Sequence, residues 1–171
     1  MTSRGLVVLA PLLFLPAAAL AGSAGHASLK DAQGKHVGTA RLTSVKGGVR
    51  VHVEATGLSP GKHGIHIHAA GRCEAPDFKS AGGHFNPGER KHGLHNPEGA
   101  HAGDLPNLVV GKNGKGKADF VAKGASLSKG TASLFGPDGT AIVIHAGADD
   151  EKTDPSGNSG DRIACGVVVK G

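Results

Sequence analysis

Histidine is concentrated in one stretch of this chain, from His63 to Asp104. Seven of the 11 histidines lie there, among glycines and prolines, and an aspartate closes the stretch. Neutral imidazole and carboxylate are the ligands that borderline divalent ions such as Zn²⁺ take in proteins. These residue types therefore predict a metal site.

The beginning of the stretch has the alternation of a β-strand. His66 and His68 alternate with Ile65 and Ile67, and successive side chains of a strand point to opposite faces. Two imidazoles about 7 Å apart on one face can turn toward a single ion, while the isoleucines anchor the strand to a core. For this pair alone, a half-buried strand whose polar face happens to carry histidine is an equal alternative.

A long loop follows the strand. Roughly 45 residues after His68 lack helical or strand periodicity, and a loop of that length in a compact domain is usually functional or disordered. A bound metal would supply the order that such a loop lacks; solvated loop histidines are the alternative. The candidate ligands in the loop are His84, His92, His95, His101 and Asp104.

Several motifs taken together resemble the copper/zinc superoxide dismutase family, in its bacterial exported form. The resemblance runs from about His26 to the C-terminus, and the combined spacing of the motifs makes it specific. The matching segments are His63-Gly-Ile-His-Ile-His68, Ser80-Ala-Gly-Gly-His-Phe-Asn-Pro87, Arg90-Lys-His92, His101-Ala-Gly-Asp-Leu105, Ile144-His145 and Gly160-Asp-Arg-Ile-Ala-Cys-Gly-Val167.

The resemblance implies one copper and one zinc ion per subunit. The implied copper ligands are His66, His68, His84 and His145. The implied zinc ligands are His84, His92, His101 and Asp104, so His84 bridges the two metals through its two ring nitrogens. Zinc has no redox role and orders the site, whereas copper alternates between Cu(II) and Cu(I).

The same resemblance assigns roles to residues around the metals. Asp149 is expected to hydrogen-bond His66 and His92, and thereby to fix the orientation of both rings. His63 is expected to lie beneath the site. Arg162 is expected to hold the anionic substrate beside the copper by charge-assisted hydrogen bonds.

The implied reaction is the dismutation of superoxide to oxygen and hydrogen peroxide, with His84 taking up and delivering a proton. Two other functions remain open: a non-catalytic exported copper/zinc carrier, and a sandwich in which metals only order the loop. The carrier function requires neither Arg162 nor a bridging ligand. All four copper ligands of the family are present, which favours the enzyme.

The chain departs from the familiar eukaryotic pattern in two places. The loop between His145 and Arg162 is short and has a formal charge of −3, counting both flanking residues. The segment from Glu74 to Lys79 resembles an insertion. Charges that steer the substrate must therefore lie elsewhere, and Lys79, Arg90 and Lys91 are candidates by proximity in sequence.

The composition predicts an all-β domain. The chain has 29 glycines and nine prolines, no long helical period, and short alternating runs. Together with the resemblance to copper/zinc superoxide dismutases, these alternating runs predict a Greek-key β-sandwich or flattened barrel of about eight antiparallel strands with two long loops. The predicted strands are Val37 to Thr43, Val49 to Ala55, Gly64 to His68, Lys117 to Ala122, Ala132 to Phe135, Ala141 to His145 and Ile163 to Val169.

Residues 1–21 have the pattern of a secretory signal peptide. A basic Arg4 precedes an apolar run that ends in the small-x-small sequence Ala19-Leu-Ala21. The run has two prolines and is short for a membrane span, so we expect no membrane insertion after cleavage. The domain is then residues 22–171, exported to the periplasm or to the exterior.

Two further features of the sequence bear on the binding partners of the protein and on the oxidation state of its two cysteines. Without Arg4 the chain has 18 basic and 14 acidic residues and no tyrosine or tryptophan, so a nucleic-acid surface is not expected. In an oxidising compartment a disulfide between Cys73 and Cys165 is the default; two free thiols acting as soft metal ligands are the alternative. A homodimer is possible, but the sequence defines no interface.

Overall fold

The computed structural model of the chain describes residues 24–171 and contains ten β-strands. The strands are β1 (Ala24–Asp31), β2 (His36–Val45), β3 (Gly48–Thr56), β4 (Gly61–His63), β5 (Ile65–His68), β6 (Leu108–Val110), β7 (Lys115–Lys123), β8 (Ala141–His145), β9 (Arg162–Val167) and β10 (Val169–Lys170). A single 3₁₀ turn, η1, spans Lys79–Ala81. The predicted signal peptide lies outside the described residues.

All strands pair in one antiparallel sheet. Its order is β4-β6-β7-β3-β2-β1-β9-β8-β5, and β10 pairs with β1 beside this path. The two outermost strands, β4 and β5, are consecutive in the chain and separated only by Gly64. The sheet therefore curls into a nearly closed barrel, which confirms the all-β prediction. The strand count exceeds eight because β4, β6 and β10 are short separate pieces.

The alternation of side chains builds the core inside this curled sheet. Val49, Val51 and Val53 of β3 have no exposed surface, whereas Arg50 and Glu54 on the same strand point to solvent. Strand β2 follows the same period of two. The interior is therefore filled by alternate residues of the long strands, and their outer face is polar, as the sequence predicts.

Two assignments made from sequence differ from the structure. Ala132 to Phe135 was predicted to be a strand, but it forms a turn that is joined to Ser126 by two main-chain hydrogen bonds of 2.8 Å. Gly130 and Pro137 flank it closely, and such residues restrict a segment to turns. Strand β1 was not predicted, although buried Ala27 and Leu29 alternate with exposed residues along it.

Two long connections lie outside the ladder. Loop A (residues 69–107) joins β5 to β6, and loop B (residues 146–161) joins β8 to β9. The predicted disulfide between Cys73 and Cys165 is confirmed, with its Cα atoms 5.6 Å apart and a sequence separation of 92. It fastens the start of loop A to β9.

Between residues 24 and 171, no helix has the length and apolar character needed to cross a membrane.

Candidate metal centre

The sheet brings together three of the four histidines predicted to bind copper. His66 and His68 lie on β5, which pairs with β8, and His145 is the last residue of β8. His145 in turn lies opposite Arg162, the first residue of β9. The register of three adjacent strands therefore places these four side chains at one end of the sheet.

Loop A brings the remaining ligands by running along the outer edge of β5. Two main-chain hydrogen bonds of 2.8 and 2.9 Å join the loop to Ile67. The resulting bridges set His84 opposite His68 and Asp104 opposite His66. The loop is thus positioned by strand-like pairing with the same strand that carries the first two histidines.

Hydrogen bonds fix the tautomers of three rings. Each ring donates one N–H to an acceptor: His66 Nε2 to Asp149 Oδ2 (2.7 Å), His68 Nδ1 to the Gly82 carbonyl (2.9 Å) and His145 Nδ1 to the Gly160 carbonyl (3.0 Å). In a neutral imidazole the other nitrogen then carries a lone pair. That nitrogen is Nδ1 in His66 and Nε2 in His68 and His145.

Four buried ring nitrogens in this cluster lack a hydrogen-bond partner among the described residues: His66 Nδ1, His68 Nε2, His84 Nε2 and His145 Nε2. The four side chains offer ligand atoms that lie within 4.8 Å of one another. Buried polar atoms without partners are rare and need an explanation. Four neutral imidazoles that converge on one point fit a copper ion, for which imidazole is a suitable ligand.

Burial keeps these rings neutral. It lowers the pKa of His66 to about 3, that of His68 to about 2 and that of His145 to about 4. Burial also lowers the pKa of His84, although the Asp104 carboxylate opposes this effect. The lone pairs are therefore free for a metal across the physiological pH range.

A second cluster surrounds one oxygen of Asp104. Its Oδ1 lies 2.8 Å from His84 Nδ1, 3.1 Å from His92 Nδ1 and 3.2 Å from His101 Nδ1. The Nδ1 atoms of His84 and His101 are 3.3 Å apart. Tetrahedral zinc with bonds of about 2.0–2.1 Å separates its ligands by roughly 3.3 Å, so these four residues fit a zinc ion.

Main-chain hydrogen bonds hold the carboxylate of Asp104 in the second cluster. Oδ2 of Asp104 accepts hydrogen bonds from the main-chain N–H groups of Gly93 (2.9 Å) and His101 (3.0 Å). Burial would raise the pKa of Asp104, but the hydrogen bonds of three imidazoles outweigh it and hold this pKa far below its usual range. The carboxylate is therefore ionised and ready to serve as a ligand.

His84 belongs to both clusters. Its Nδ1 is in the group around Asp104, and its Nε2 is among the unpartnered nitrogens of the first group. Only 4% of its side chain is exposed. One ring therefore lies between the two candidate ion positions, with one nitrogen available to each.

Asp149 connects the clusters on the opposite side. Its Oδ2 accepts from His66 Nε2 at 2.7 Å, and its Oδ1 accepts from His92 Nε2 at 3.0 Å. For His92, the two carboxylates of Asp104 and Asp149 outweigh burial and raise the pKa to about 9. Asp149 thus orients one ring of each cluster.

Arg162 lies half-buried beside the first cluster. Its Nη1 donates to the Phe78 carbonyl and its Nη2 to the Gly82 carbonyl, both at 2.7 Å. Burial lowers the pKa of Arg162, and the nearby Asp77 opposes the shift; arginine remains a cation. The guanidinium lines an open cavity with Lys79, Asp77, Asp161 and others.

The remaining predicted residues lie in distinct places. His63 is buried in β4 and donates from Nδ1 to the His145 carbonyl at 2.8 Å, so it supports the main chain of that residue. His95 is exposed and pairs with Glu151 at 2.9 Å, outside both clusters. His26, His36 and His52 lie on strands of the sheet and join neither cluster.

Of the three cations considered for steering, only Lys79 shares the Arg162 cavity. Lys91 lies 3.5 Å from Asp154 in an ion pair. Arg90 lines a separate groove with Lys123. Proximity in sequence therefore identified one cation that borders the Arg162 cavity and two that do not.

Sequence reasoning missed two residues that support the site. Asn107 accepts from Asp149 N at 2.8 Å and donates back to the Asp149 carbonyl at 2.8 Å. Phe78 supplies one of the two carbonyls that hold Arg162. Asn107 acts through a main chain 42 residues away, and Phe78 acts through its own carbonyl, so no motif marks either residue.

Comparison with known proteins identifies the family of this chain. A family model described as copper/zinc superoxide dismutase matches residues 36–168. A Cu-Zn superoxide dismutase of Aquifex aeolicus is 49% identical over 145 residues, which cover 84% of this chain and 86% of that protein. A second from the same organism is 45% identical over 164 residues, covering 95% and 96%. The crystal structure of a SOD-like protein from Bacillus subtilis gives a TM-score of 0.81 at 46% identity, covering 84% of this chain and 97% of that one.

Proposed function

The chain belongs to the copper/zinc superoxide dismutase family, and we propose that its two histidine clusters are the copper and zinc sites. It catalyses that family's conversion of superoxide to oxygen and hydrogen peroxide. The observation that carries this assignment is the set of four unpartnered, buried ring nitrogens. Copper, when bound, supplies the one-electron chemistry that oxidises one superoxide to oxygen and reduces the next, with two protons, to hydrogen peroxide.

Copper is assigned to His66, His68, His84 and His145, and zinc to His84, His92, His101 and Asp104. The separate hydrogen bonds of the copper-site rings support the first set, because each leaves one lone pair facing the common centre. The spacing around Asp104 Oδ1 supports the second.

His84 Nε2 is the proposed proton-carrying atom. It is the only unpartnered nitrogen of the copper cluster whose ring also contributes its other nitrogen to the zinc cluster. Its partner nitrogen, Nδ1, stays among the zinc ligands, so the ring keeps its orientation while a proton arrives at or leaves Nε2. This arrangement provides one of the two protons that peroxide formation requires.

Arg162 is the proposed binding group for the superoxide anion. Two of its N–H groups are held by main-chain carbonyls, and a guanidinium has five donors. The remaining donors can face an anion in the adjoining cavity. A fixed cation at this position attracts the substrate and orients it toward the histidine cluster.

The measurement that tests the function is superoxide decay in metal-free, zinc-loaded and copper-plus-zinc-loaded protein, the last also with cyanide. We expect fast decay only with copper, abolished by cyanide. His84→Ala should lose it, whereas His95→Ala, which changes an exposed loop histidine, should retain it. Stoichiometric binding of both metals without decay beyond that of free copper would favour the carrier function.

We further propose that residues 22–171 are an exported, periplasmic domain. The disulfide is consistent with an oxidising compartment. N-terminal sequencing of the protein recovered from a periplasmic fraction tests both the compartment and the predicted boundary after Ala21.

A further inference from the structure

A short turn with an unusual backbone faces Arg162. The 3₁₀ turn η1 is flanked by Phe78, at φ 53° in the left-handed region, and by Gly82, which also has a positive φ of 74°. Glycine adopts this region readily, but a bulky side chain rarely does. Residues held in such a conformation cluster at functional sites, where the surrounding structure imposes it.

These two residues present their carbonyls to one guanidinium. The Phe78 carbonyl accepts from Arg162 Nη1 and the Gly82 carbonyl from Nη2, each at 2.7 Å. The Gly82 carbonyl also accepts from His68 Nδ1 at 2.9 Å. The turn therefore fixes the position of Arg162 relative to a proposed copper ligand.

The Phe78 ring anchors this turn in the protein. The residue is 2% exposed and belongs to a small apolar cluster separate from the main core. Its neighbours in that cluster are Ala81, Ala141, Val143 and Cys165. Three of these lie on β8 and β9, the strands that carry His145 and Arg162.

We propose that Phe78 is a positioning residue for substrate binding. Its buried ring holds η1 against β8 and β9, so that the carbonyls of Phe78 and Gly82 keep the guanidinium directed at the copper cluster. This inference rests on the proposed role of Arg162. It gives the segment from Glu74 to Lys79, which resembles an insertion, a function in the site.

The test is the affinity of azide, a small monoanion that binds Cu(II), for the copper- and zinc-loaded protein, followed through the Cu(II) absorption band. Phe78→Ala should weaken azide binding about 2-fold to 10-fold, the range to which one net hydrogen bond corresponds. Phe78→Leu keeps a buried apolar side chain and should show a smaller loss. Phe135→Ala truncates a partly buried phenylalanine that packs on the main core; it should lower the unfolding midpoint and leave azide affinity unchanged.

A double-mutant cycle with Arg162→Lys separates positioning from general destabilisation. If Phe78 acts through Arg162, Phe78→Ala should have little effect on azide affinity in the Arg162→Lys background. Equal losses in both backgrounds, or an equal loss in Phe135→Ala, would overturn the proposal. So would unchanged azide affinity in Phe78→Ala.

Two further outcomes keep the test decisive. If Phe78→Ala does not fold, Phe78→Leu takes its place in the cycle, and an unchanged affinity there overturns the proposal. If Arg162→Lys itself leaves azide affinity unchanged, the proposed role of Arg162 fails first, and the role of Phe78 fails with it.

Discussion

At the scale of single residues, Asp149 has the widest influence on the site. Its carboxylate contacts His66 and His92, which belong to different clusters, and 2% of its side chain is exposed. A buried carboxylate that accepts from ligating imidazoles fixes their tautomers and raises their basicity. Changing this one carboxylate should therefore weaken the binding of both metals.

We predict that Asp149→Asn lowers the affinity for copper and zinc about 10-fold to 100-fold. The amide preserves the shape of the side chain, but it lacks the negative charge and can accept from only one of the two rings. The measurement is competition with a chromogenic chelator for each metal. Asp150→Asn is the matched control, because the Asp150 carboxylate bonds only within loop B; equal losses in both variants would contradict the prediction.

The identities of the clustered residues could be predicted from sequence, but their chemistry at the level of atoms could not. His66 leaves Nδ1 free and His68 leaves Nε2 free, although both lie on the same face of one strand. The difference arises because Asp149 reaches His66 from loop B, whereas His68 meets the Gly82 carbonyl of loop A. These partners are distant in sequence, so no local pattern specifies them.

At the scale of elements, the site depends on how loop B docks against loop A. Asn107 makes two hydrogen bonds to the main chain of Asp149 and a third, of 3.2 Å, to Glu151. These bonds mimic the pairing of two strands and hold the Asp149 main chain in place. The position of the Asp149 carboxylate therefore depends on a residue that touches neither cluster.

We predict that Asn107→Ala speeds the release of zinc to a chelator by about 5-fold to 30-fold while all four proposed ligands remain, since lost support of an orienting group costs about 1–2 kcal/mol. Release rates in stopped flow measure this effect. Asn113→Ala, which removes a turn asparagine between β6 and β7, should leave the rate unchanged. A rate for Asn107→Ala equal to that of the unmodified protein would show that Asp149 holds its position without this contact.

The disulfide should stabilise the fold by restricting the unfolded chain. It closes a long loop, because its cysteines have a sequence separation of 92. Replacing both Cys73 and Cys165 by serine should lower the free energy of unfolding of the metal-free protein by about 2–5 kcal/mol. Urea unfolding at equilibrium measures the difference; a decrease below about 1 kcal/mol would mean that native contacts alone fasten loop A to β9.

Apart from β1, the strands of four or more residues were predicted from the sequence, whereas the separate strands of two or three residues were not. Strands β2, β3 and β7 lie within a few residues of their predicted bounds, because each has a clear period of two, and β8 matches its predicted bounds as a short apolar run that ends in His145. Strand β6 has three residues, too few to display a period. Its pairing with β4 and β7 is decided by the closure of the barrel.

At the scale of the whole molecule, positive charge does not concentrate at the cavity beside Arg162, the proposed binding group for superoxide. The chain has a formal net charge of +5. The cavity beside Arg162 nevertheless contains Lys79 together with Asp77 and Asp161, and Lys79 forms an ion pair with Asp77 at 3.0 Å. Apart from Arg162, the charged residues that line this cavity therefore sum to −1, so its attraction for an anion depends mainly on the guanidinium.

Removing one carboxylate from the cavity beside Arg162 should strengthen the electrostatic steering of superoxide. We predict that Asp77→Asn raises the second-order rate with superoxide about 2-fold to 3-fold at low ionic strength, the size of one unit charge acting through water. The gain should shrink as salt screens it. Asp119→Asn makes the same change in net charge on β7, away from this cavity, and should raise the rate less; equal gains would indicate that net charge alone matters.

The pairing of loop A with the outer edge of β5 has a consequence for association between molecules. An uncovered strand edge is a template onto which another chain can add its own strand, and this is a route to aggregates. Here the main-chain groups of Ile67 on that edge are already taken by residues of loop A. Because the same loop carries His84, His92, His101 and Asp104, release of zinc would loosen this cover and expose the edge. The residues proposed to bind zinc would thus also protect the folded protein from self-assembly.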